Sequence, residues 1–225
     1  MRNLFLILLL LSANPAASAD LTPEQLEAWF NNDDMEMPEQ ATVQDKQLRF
    51  ITAPNAQAGT LTEKTYRITA DSLQTGWVVI EQCYRNLDPV PQLEVVYNYQ
   101  DMRNLKVTQQ AHIGKLWIEG QSIQMQDLNK NASVCTRAEV KILRAASQHK
   151  YLLLAGPFQR KFLDGYYPMH VKLRIEYPAA ELAVDETHPQ AEPGFMLTHA
   201  EGLMQVDTRF TGKLYLAISF TSKDH

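Results

Sequence analysis

The sequence has little cysteine and no excess of positive charge. Only two cysteines, Cys83 and Cys135, occur among the 225 residues, and 26 Asp and Glu outnumber 21 Lys and Arg, which leaves a formal net charge of -5. Proteins that bind nucleic acids need a basic surface to neutralise phosphates, so we expect no nucleic-acid partner. The cysteines are not spaced as Cys-x-x-Cys, which argues against a thioredoxin-like redox site.

Long hydrophobic runs are also lacking, with one exception near the N-terminus. Arg2 precedes an apolar run over residues 4–11, which is followed by Asn14-Pro15 and by small residues at 17–19. This layout is typical of a cleaved signal peptide, and the run is much shorter than the roughly 20 residues that span a bilayer. We therefore expect a signal peptide over residues 1–19 with cleavage after Ala19. The mature protein is expected to be soluble and periplasmic, with no transmembrane segment; release beyond an outer membrane is left open.

Export affects the expected state of the two cysteines. In an oxidising compartment an even number of cysteines favours a disulfide bond, here between Cys83 and Cys135. The alternatives are two buried free thiols or one reactive thiol.

The familiar motifs of enzymes are absent as well. There is no Gly-x-Ser-x-Gly, no His-Glu-x-x-His, no P-loop and no dinucleotide fingerprint. We therefore lean towards a non-catalytic protein without a cofactor. A copper site with soft ligands is an alternative for residues of the last third of the chain, namely His170, His188, His199, Met169, Met196 and Met204. We favour the simpler interpretation, in which the methionines fill the core and the histidines lie in loops, and predict no metal site.

The apolar pattern divides the rest of the chain into a short helical segment and a long β region. Residues 22–30 carry a capping Thr22 and apolar side chains at helical spacing, which predicts a short N-terminal helix. Residues 31–47 are polar and predict a linker. From residue 48 onward the apolar residues alternate with polar ones, most clearly at Val171, Leu173 and Ile175, as in antiparallel sheets with one buried face.

Turns that contain glycine separate the β runs into about ten short strands, a spacing typical of sandwiches and barrels. We predict a mostly β chain whose residues 48–225 form an antiparallel β-sandwich. A barrel-like arrangement and a subdivision near residue 147 are the alternatives. Residues 138–148 fit either a helix or a strand.

Two loops have unusual compositions. Residues 156–168 combine glycine and proline with side chains of the kind that concentrate in binding hot spots, and the candidate partner-binding residues are Arg160, Lys161, Phe162, Tyr166 and Tyr167. Residues 83–91 combine Cys83 with two prolines, which make the loop stiff. Either loop can be a purely structural corner. If both lie at the same end of the sandwich, the binding interpretation gains support.

These observations favour a non-catalytic binding or envelope-associated module, whose partner would be an envelope protein or a glycan. One alternative is a hydrolase of envelope polymers that uses carboxylates, for which Asp88, Asp164 and Glu176 are candidates. Another alternative is a carrier of small ligands, which would need an apolar cavity with few polar groups.

Overall fold

The structure is a computed structural model that describes residues 48–52, 59–162 and 165–223. These residues form fifteen strands and one short helix, so the predicted mostly β fold is confirmed. The helix, α1, is Ala70–Thr75. The strands are β1 (Arg49–Phe50), β2 (Leu61–Arg67), β3 (Trp77–Leu87), β4 (Gln92–Val96), β5 (Met102–Glu119), β6 (Ser122–Lys141), β7 (Leu143–Ser147), β8 (Lys150–Phe158), β9 (Lys161–Phe162), β10 (Gly165–Tyr166), β11 (Met169–Glu176), β12 (Leu182–His188), β13 (Phe195–Ala200), β14 (Leu203–Thr211) and β15 (Leu214–Ser222). The predicted signal peptide, N-terminal helix and linker lie outside the described residues.

The larger sheet has nine strands among the described residues. Its order is β1-β14-β11-β2-β3-β6-β4, with β13 also paired to β14 and β5 also paired to β6. Strands β2 and β11 are parallel, and the other pairs of this sheet are antiparallel. The parallel pair lies in the middle of the sheet, so these two strands carry a central part of its inner face.

The smaller sheet covers one face of the larger one. Its order is β12-β15-β8-β7, and all its pairs are antiparallel. Ile80 and Val171 of the larger sheet share one hydrophobic core with Leu153 and Ile218 of the smaller sheet. The arrangement is therefore sandwich-like. Neither sheet closes on itself within the described ranges, so the barrel-like alternative is not found.

The strands of the larger sheet alternate between a buried inner face and a charged outer face. Along β2 every second residue is buried, beginning with Thr62, and β3 shows the same alternation from Val78 onward. The intervening outward residues form ion pairs across strands, for example between Arg67 and Glu176. This alternation follows from the two-residue period of side chains along a strand.

The longest hairpin of the described chain consists of β5 and β6, which have 18 and 20 residues. The apolar pattern of the sequence predicts only short strands here, near residues 105, 117 and 124. Most of β5 is exposed, and its pairing with β6 is interrupted at three points by irregularities. Because β5 is an edge strand, such bulges discourage the addition of further strands.

Residues 138–148, for which both a helix and a strand were considered, belong to the end of β6 and to β7. Ala138, Val140 and Ile142 are buried at alternate positions, which suits a strand with one face in the core. The short helix α1 precedes β3 and ends at Gly76, whose φ of 76° is left-handed. A Cβ atom there would lie 2.8 Å from the Leu143 carbonyl oxygen, so only glycine fits this close approach to β7.

Candidate functional site

A cavity of about 530 Å³ lies at one end of the sandwich. Its walls come from the inner faces of β2 and β3, from β4 and the loop that follows it, and from the end of β8 and the residues after it. The lining residues include Lys64, Gln82, Tyr84, Leu93, Tyr97, Tyr99, Phe158 and Met169. A second cavity of about 460 Å³ shares Asn98, Tyr99, Gly156 and Pro157 with the first. A volume of this size is typical of sites for small molecules.

The inner face of the larger sheet changes from apolar to polar at this cavity. In the pairing of the strands, Leu173 of β11 lies beside Lys64 of β2, Lys64 beside Gln82 of β3, and Gln82 beside Thr136 of β6. We call Lys64, Gln82 and Thr136 the polar row. All three side chains belong to residues that are at most 5% exposed. The sheet thus holds a line of polar groups where a sandwich normally holds apolar ones.

Lys64 is surrounded by aromatic rings. Its Nζ atom lies 5.0 Å from the ring centroid of Tyr66, 5.1 Å from that of Tyr99 and 5.8 Å from that of Phe158. The same Nζ donates a hydrogen bond of 2.6 Å to the Tyr99 hydroxyl oxygen. The faces of aromatic rings attract a cation, so the rings offset part of the cost of burying an ammonium group.

Burial nevertheless dominates the titration of Lys64. Desolvation lowers its pKa from the ordinary value of 10.5 to about 7, because a low-dielectric environment disfavours the charged form. None of the ion pairs found among the described residues includes Lys64. At neutral pH the site therefore holds an amine that is close to its midpoint of protonation.

The phenol groups around the cavity stay neutral over the physiological range. Burial raises the pKa of Tyr97 to about 12, an effect reduced by its hydrogen bond to Thr136. That bond joins the Tyr97 hydroxyl to the Thr136 Oγ1 at 2.6 Å. Burial likewise raises the pKa values of Tyr66, Tyr84 and Tyr99. The cavity interior thus offers neutral hydroxyl groups beside the Lys64 amine, and Lys161 adds a second amine to the lining.

Two buried polar atoms near the polar row have no hydrogen-bond partner among the described residues. They are the side-chain oxygens of Thr62 and Gln82. Buried polar groups are normally satisfied, and an unpaired one costs about 1–3 kcal/mol. Gln82 is one of the residues that line the cavity, although its unpaired amide oxygen is itself enclosed by protein atoms.

The two loops singled out in the sequence meet at the mouth of this cavity. Arg160 of the second loop forms an ion pair with Asp88 of the first, and its Nη1 also donates to the Pro168 carbonyl oxygen at 3.3 Å. Asp88, Arg160 and Lys161 all line the cavity. The two loops therefore lie at the same end of the sandwich, which is the arrangement that favours the binding interpretation.

The other candidate partner-binding residues form a small β ribbon beside the mouth. Lys161 pairs with Tyr166 and Phe162 pairs with Gly165 across β9 and β10, and the Lys161 Nζ lies 6.0 Å from the Tyr166 ring centroid. Tyr167 is 38% exposed, with the Arg160 guanidinium 5.6 Å from its ring centroid. Arg160 and Lys161 thus belong to the cavity wall, whereas Tyr167 presents part of its surface to solvent.

The predicted disulfide bond is present. Cys83 and Cys135 are linked, with their Cα atoms 4.0 Å apart, and they face each other across β3 and β6. They lie one position along from Gln82 and Thr136 and therefore point to the opposite face of the sheet. The covalent bond joins the two strands that carry most of the polar row.

The carboxylates considered for hydrolysis are not gathered in the cavity. Glu176 lies on the outer face, where it pairs with Arg67 and Arg174, and these bonds lower its pKa. Asp88 is held by Arg160 at the mouth, and Asp164 lies outside the described residues. In the described ranges no group of three or more His, Cys, Asp or Glu side chains is placed to hold a metal ion.

Sequence reasoning missed Lys64, although a signal was available. In the sequence, Tyr66 and Ile68 are apolar residues that alternate with polar ones. The same two-residue period extended towards the N-terminus places Lys64 and Thr62 on the buried face. A lysine on the inner face of a strand is rare enough to mark a candidate site.

Models of known protein families give no match to this chain, and a search of curated proteins finds no similar sequence.

Proposed function

We propose that this chain is an exported, non-catalytic binding protein that holds a small ligand in the cavity at the end of its sandwich. The observation that carries the proposal is the polar row, of which Lys64 and Gln82 line a cavity that also has aromatic residues in its wall. Ligand sites typically combine apolar walls with a few polar groups of this kind.

Export to the periplasm is part of the proposal. The signal-like residues 1–19 support it, and so does the disulfide bond, because such bonds persist in oxidising compartments. The described helix has six residues, and no described helix is long and apolar enough to cross a membrane.

Binding of the neutral dye Nile red, whose fluorescence rises in apolar surroundings, tests the cavity directly. Leu93 lines the cavity, so Leu93→Trp should fill part of it and weaken dye binding by about ten-fold or more. The matched control is Met196→Trp, at a residue that is 60% exposed on β13, and it should bind the dye as the wild type does. Equal affinities for all three proteins would place the dye elsewhere and count against the proposal.

A second candidate function is the docking of an envelope protein or glycan at the cavity mouth. The partly exposed Tyr167 and the neighbouring Lys161 support it, since aromatic and basic side chains concentrate in binding hot spots. A photoreactive residue at position 167 should then crosslink one specific envelope component, whereas the same residue at position 196 should not. Identical products from both positions would argue against this surface. Arg160 is a poor choice for such tests, because its replacement would also break the link to Asp88.

A further inference from the structure

We propose that the ligand of this cavity carries a carboxylate group, which Lys64 binds as an ammonium ion that forms when the ligand enters. This inference rests on the proposed function, because it names the chemical class of the ligand for the same cavity. A charge-assisted hydrogen bond between the ligand and Lys64 would hold the carboxylate, and the aromatic wall would hold an apolar body.

The first support is that a buried amine in a cavity wall has no acidic partner among the residues that the structure describes. Lys64 is 5% exposed, and its hydrogen bond goes to the neutral hydroxyl group of Tyr99. A buried ammonium ion is expensive unless an opposite charge accompanies it. An entering carboxylate supplies that charge and offsets part of the cost.

The second support is the charge distribution around Lys64 on every element that surrounds the cavity. The titratable groups of the interior are phenols with raised pKa values, on β2, on β3 and in the loop after β4: Tyr66, Tyr84, Tyr97 and Tyr99. The carboxylates of the lining are Asp88 and Glu94. Asp88 is paired with Arg160, and Glu94 accepts a hydrogen bond from Gln124. With Lys161 also at the mouth, the entrance does not oppose an anion.

The third support is that the proton balance is simple. At slightly alkaline pH the empty site holds a neutral amine, because burial lowers the pKa of Lys64 to about 7. A bound carboxylate raises that pKa again, so the amine takes up one proton from solvent as the anion binds. No covalent bond forms or breaks apart from this N–H bond.

Isothermal titration of the full mature chain with hexanoate, octanoate and decanoate tests the inference. Titration at pH 8.5 in two buffers with different ionisation enthalpies measures the protons taken up on binding. We expect about one proton per bound carboxylate at pH 8.5 and close to none at pH 5.5, where the amine is already protonated in the empty site. The alcohol octan-1-ol should bind more weakly and without proton uptake. This comparison uses the wild type alone, so it does not depend on the folding of any variant.

Substitution of the lysine adds a second test. Lys64→Met should weaken octanoate binding by about ten-fold or more and abolish proton uptake, while octan-1-ol binding changes by less than about two-fold. Lys64→Arg should keep the preference for octanoate but take up no proton, because arginine is always charged. The matched control is Lys172→Met, at an outward-facing lysine of β11 that pairs with Asp207; it should change neither quantity.

The outcomes distinguish this inference from the proposed function. If octan-1-ol and octanoate bind equally well without proton uptake, the cavity is a ligand site but the carboxylate assignment is wrong. Octanoate binding that Lys64→Met leaves unchanged would overturn the inference as well, since the anion would then sit at the mouth. If none of the probes binds, both the inference and the proposed function fail.

Discussion

Strands β2 and β11 are parallel neighbours in the middle of one sheet, and yet their inner faces differ in chemistry. The inward side chains of β11 are Val171, Leu173 and Ile175, and those of β2 are Thr62, Lys64 and Tyr66. They lie side by side in three successive pairs, and all six residues are at most 5% exposed. Equal burial therefore does not imply equal composition; of these six side chains only Lys64 lines the cavity, which β11 reaches through Met169.

The buried polar groups of β2 and β3 lower the free energy of unfolding. A buried lysine without a carboxylate partner among the described residues weakens the folded state below its ordinary pKa, and the unpaired oxygens of Thr62 and Gln82 add to that cost. The packing of a sandwich does not require buried polar groups, because the inward residues Val171, Leu173 and Ile175 of β11 pack in the same sheet without them. Sites that break the rules of folding in this way are often functional.

The largest effect is expected when the lysine is moved from the polar strand to the apolar one. Leu173→Lys would put an ammonium group beside Lys64, in a part of the core where its direct partner on β14, Val206, and its inward neighbours along β11 are apolar. We expect a loss of about 3–5 kcal/mol in the free energy of unfolding, measured by urea denaturation.

The control for this change is Leu173→Met, which keeps the volume and should cost less than about 1.5 kcal/mol. A Leu173→Lys variant within about 1 kcal/mol of the wild type would show that this interior accepts lysine anywhere. Lys64 would then lose its special status.

The second prediction concerns the pH dependence of stability. The pKa of Lys64 is about 7 in the folded chain, against an ordinary value of 10.5. Between these values the unfolded chain holds a proton that the folded chain lacks, so stability rises with pH; below pH 7 both forms are protonated and this contribution is constant. From pH 7 to 9.5 we expect a gain of about 2–3 kcal/mol in the free energy of unfolding relative to Lys64→Met.

The measurement is a series of urea denaturation curves for both proteins across this range. The range ends at pH 9.5 because burial raises the pKa values of Tyr66, Tyr84 and Tyr99, and their ionisation in the unfolded chain lowers stability at higher pH. Parallel pH profiles for the two proteins would mean that Lys64 stays protonated in the folded state.

Much of this comparison could be predicted from the sequence, but the inward position of Lys64 was missed because the prediction relied on apolar residues. The alternation at Val171, Leu173 and Ile175 is a plain two-residue pattern, and it correctly indicates a strand with one buried face. In β2 the same alternation places a lysine and a threonine inside, so a search for apolar residues stops at Tyr66. The composition of the two loops marks them as unusual. Their contact through Asp88 and Arg160 joins residues 72 positions apart in the sequence, and composition alone does not predict it.

The long strands β5 and β6 illustrate a related limit. Most residues of β5 are exposed, so apolar and polar residues alternate little along its sequence. Its continuity comes from backbone hydrogen bonds to β6, which do not depend on side-chain type. Short apolar stretches within it, such as Leu116 to Ile118, therefore predicted only fragments of the real strand.

The third prediction concerns the hydrogen bond between Tyr97 and Thr136, the last residue of the polar row. Thr136→Val keeps the shape of the side chain but leaves the buried hydroxyl of Tyr97 without the partner it has at 2.6 Å. We expect a loss of about 1–2 kcal/mol in the free energy of unfolding, measured by urea denaturation. The same change at Thr65, on the outer face of β2, is the control and should have less than about 0.5 kcal/mol of effect. Similar losses at both positions would mean that the loss at Thr136 comes from placing valine in a strand and not from the broken hydrogen bond.

The smallest effect is expected on the outer face of β3 and β6, one residue along each strand from Gln82 and Thr136. Arg137 and Glu81 form an ion pair there with a distance of 2.5 Å, but their side chains are 40% and 43% exposed. Solvent screens such pairs and ordering the side chains costs entropy, so we expect a coupling below about 1 kcal/mol in a double-mutant cycle of Arg137→Met and Glu81→Gln. The cycle of Thr136→Val and Tyr97→Phe should give a coupling at least as large, although no charge is involved, because its hydrogen bond is shielded from water. A clearly larger coupling for the ion pair would mean that the charged outer face, and not the polar row, holds β3 and β6 in place.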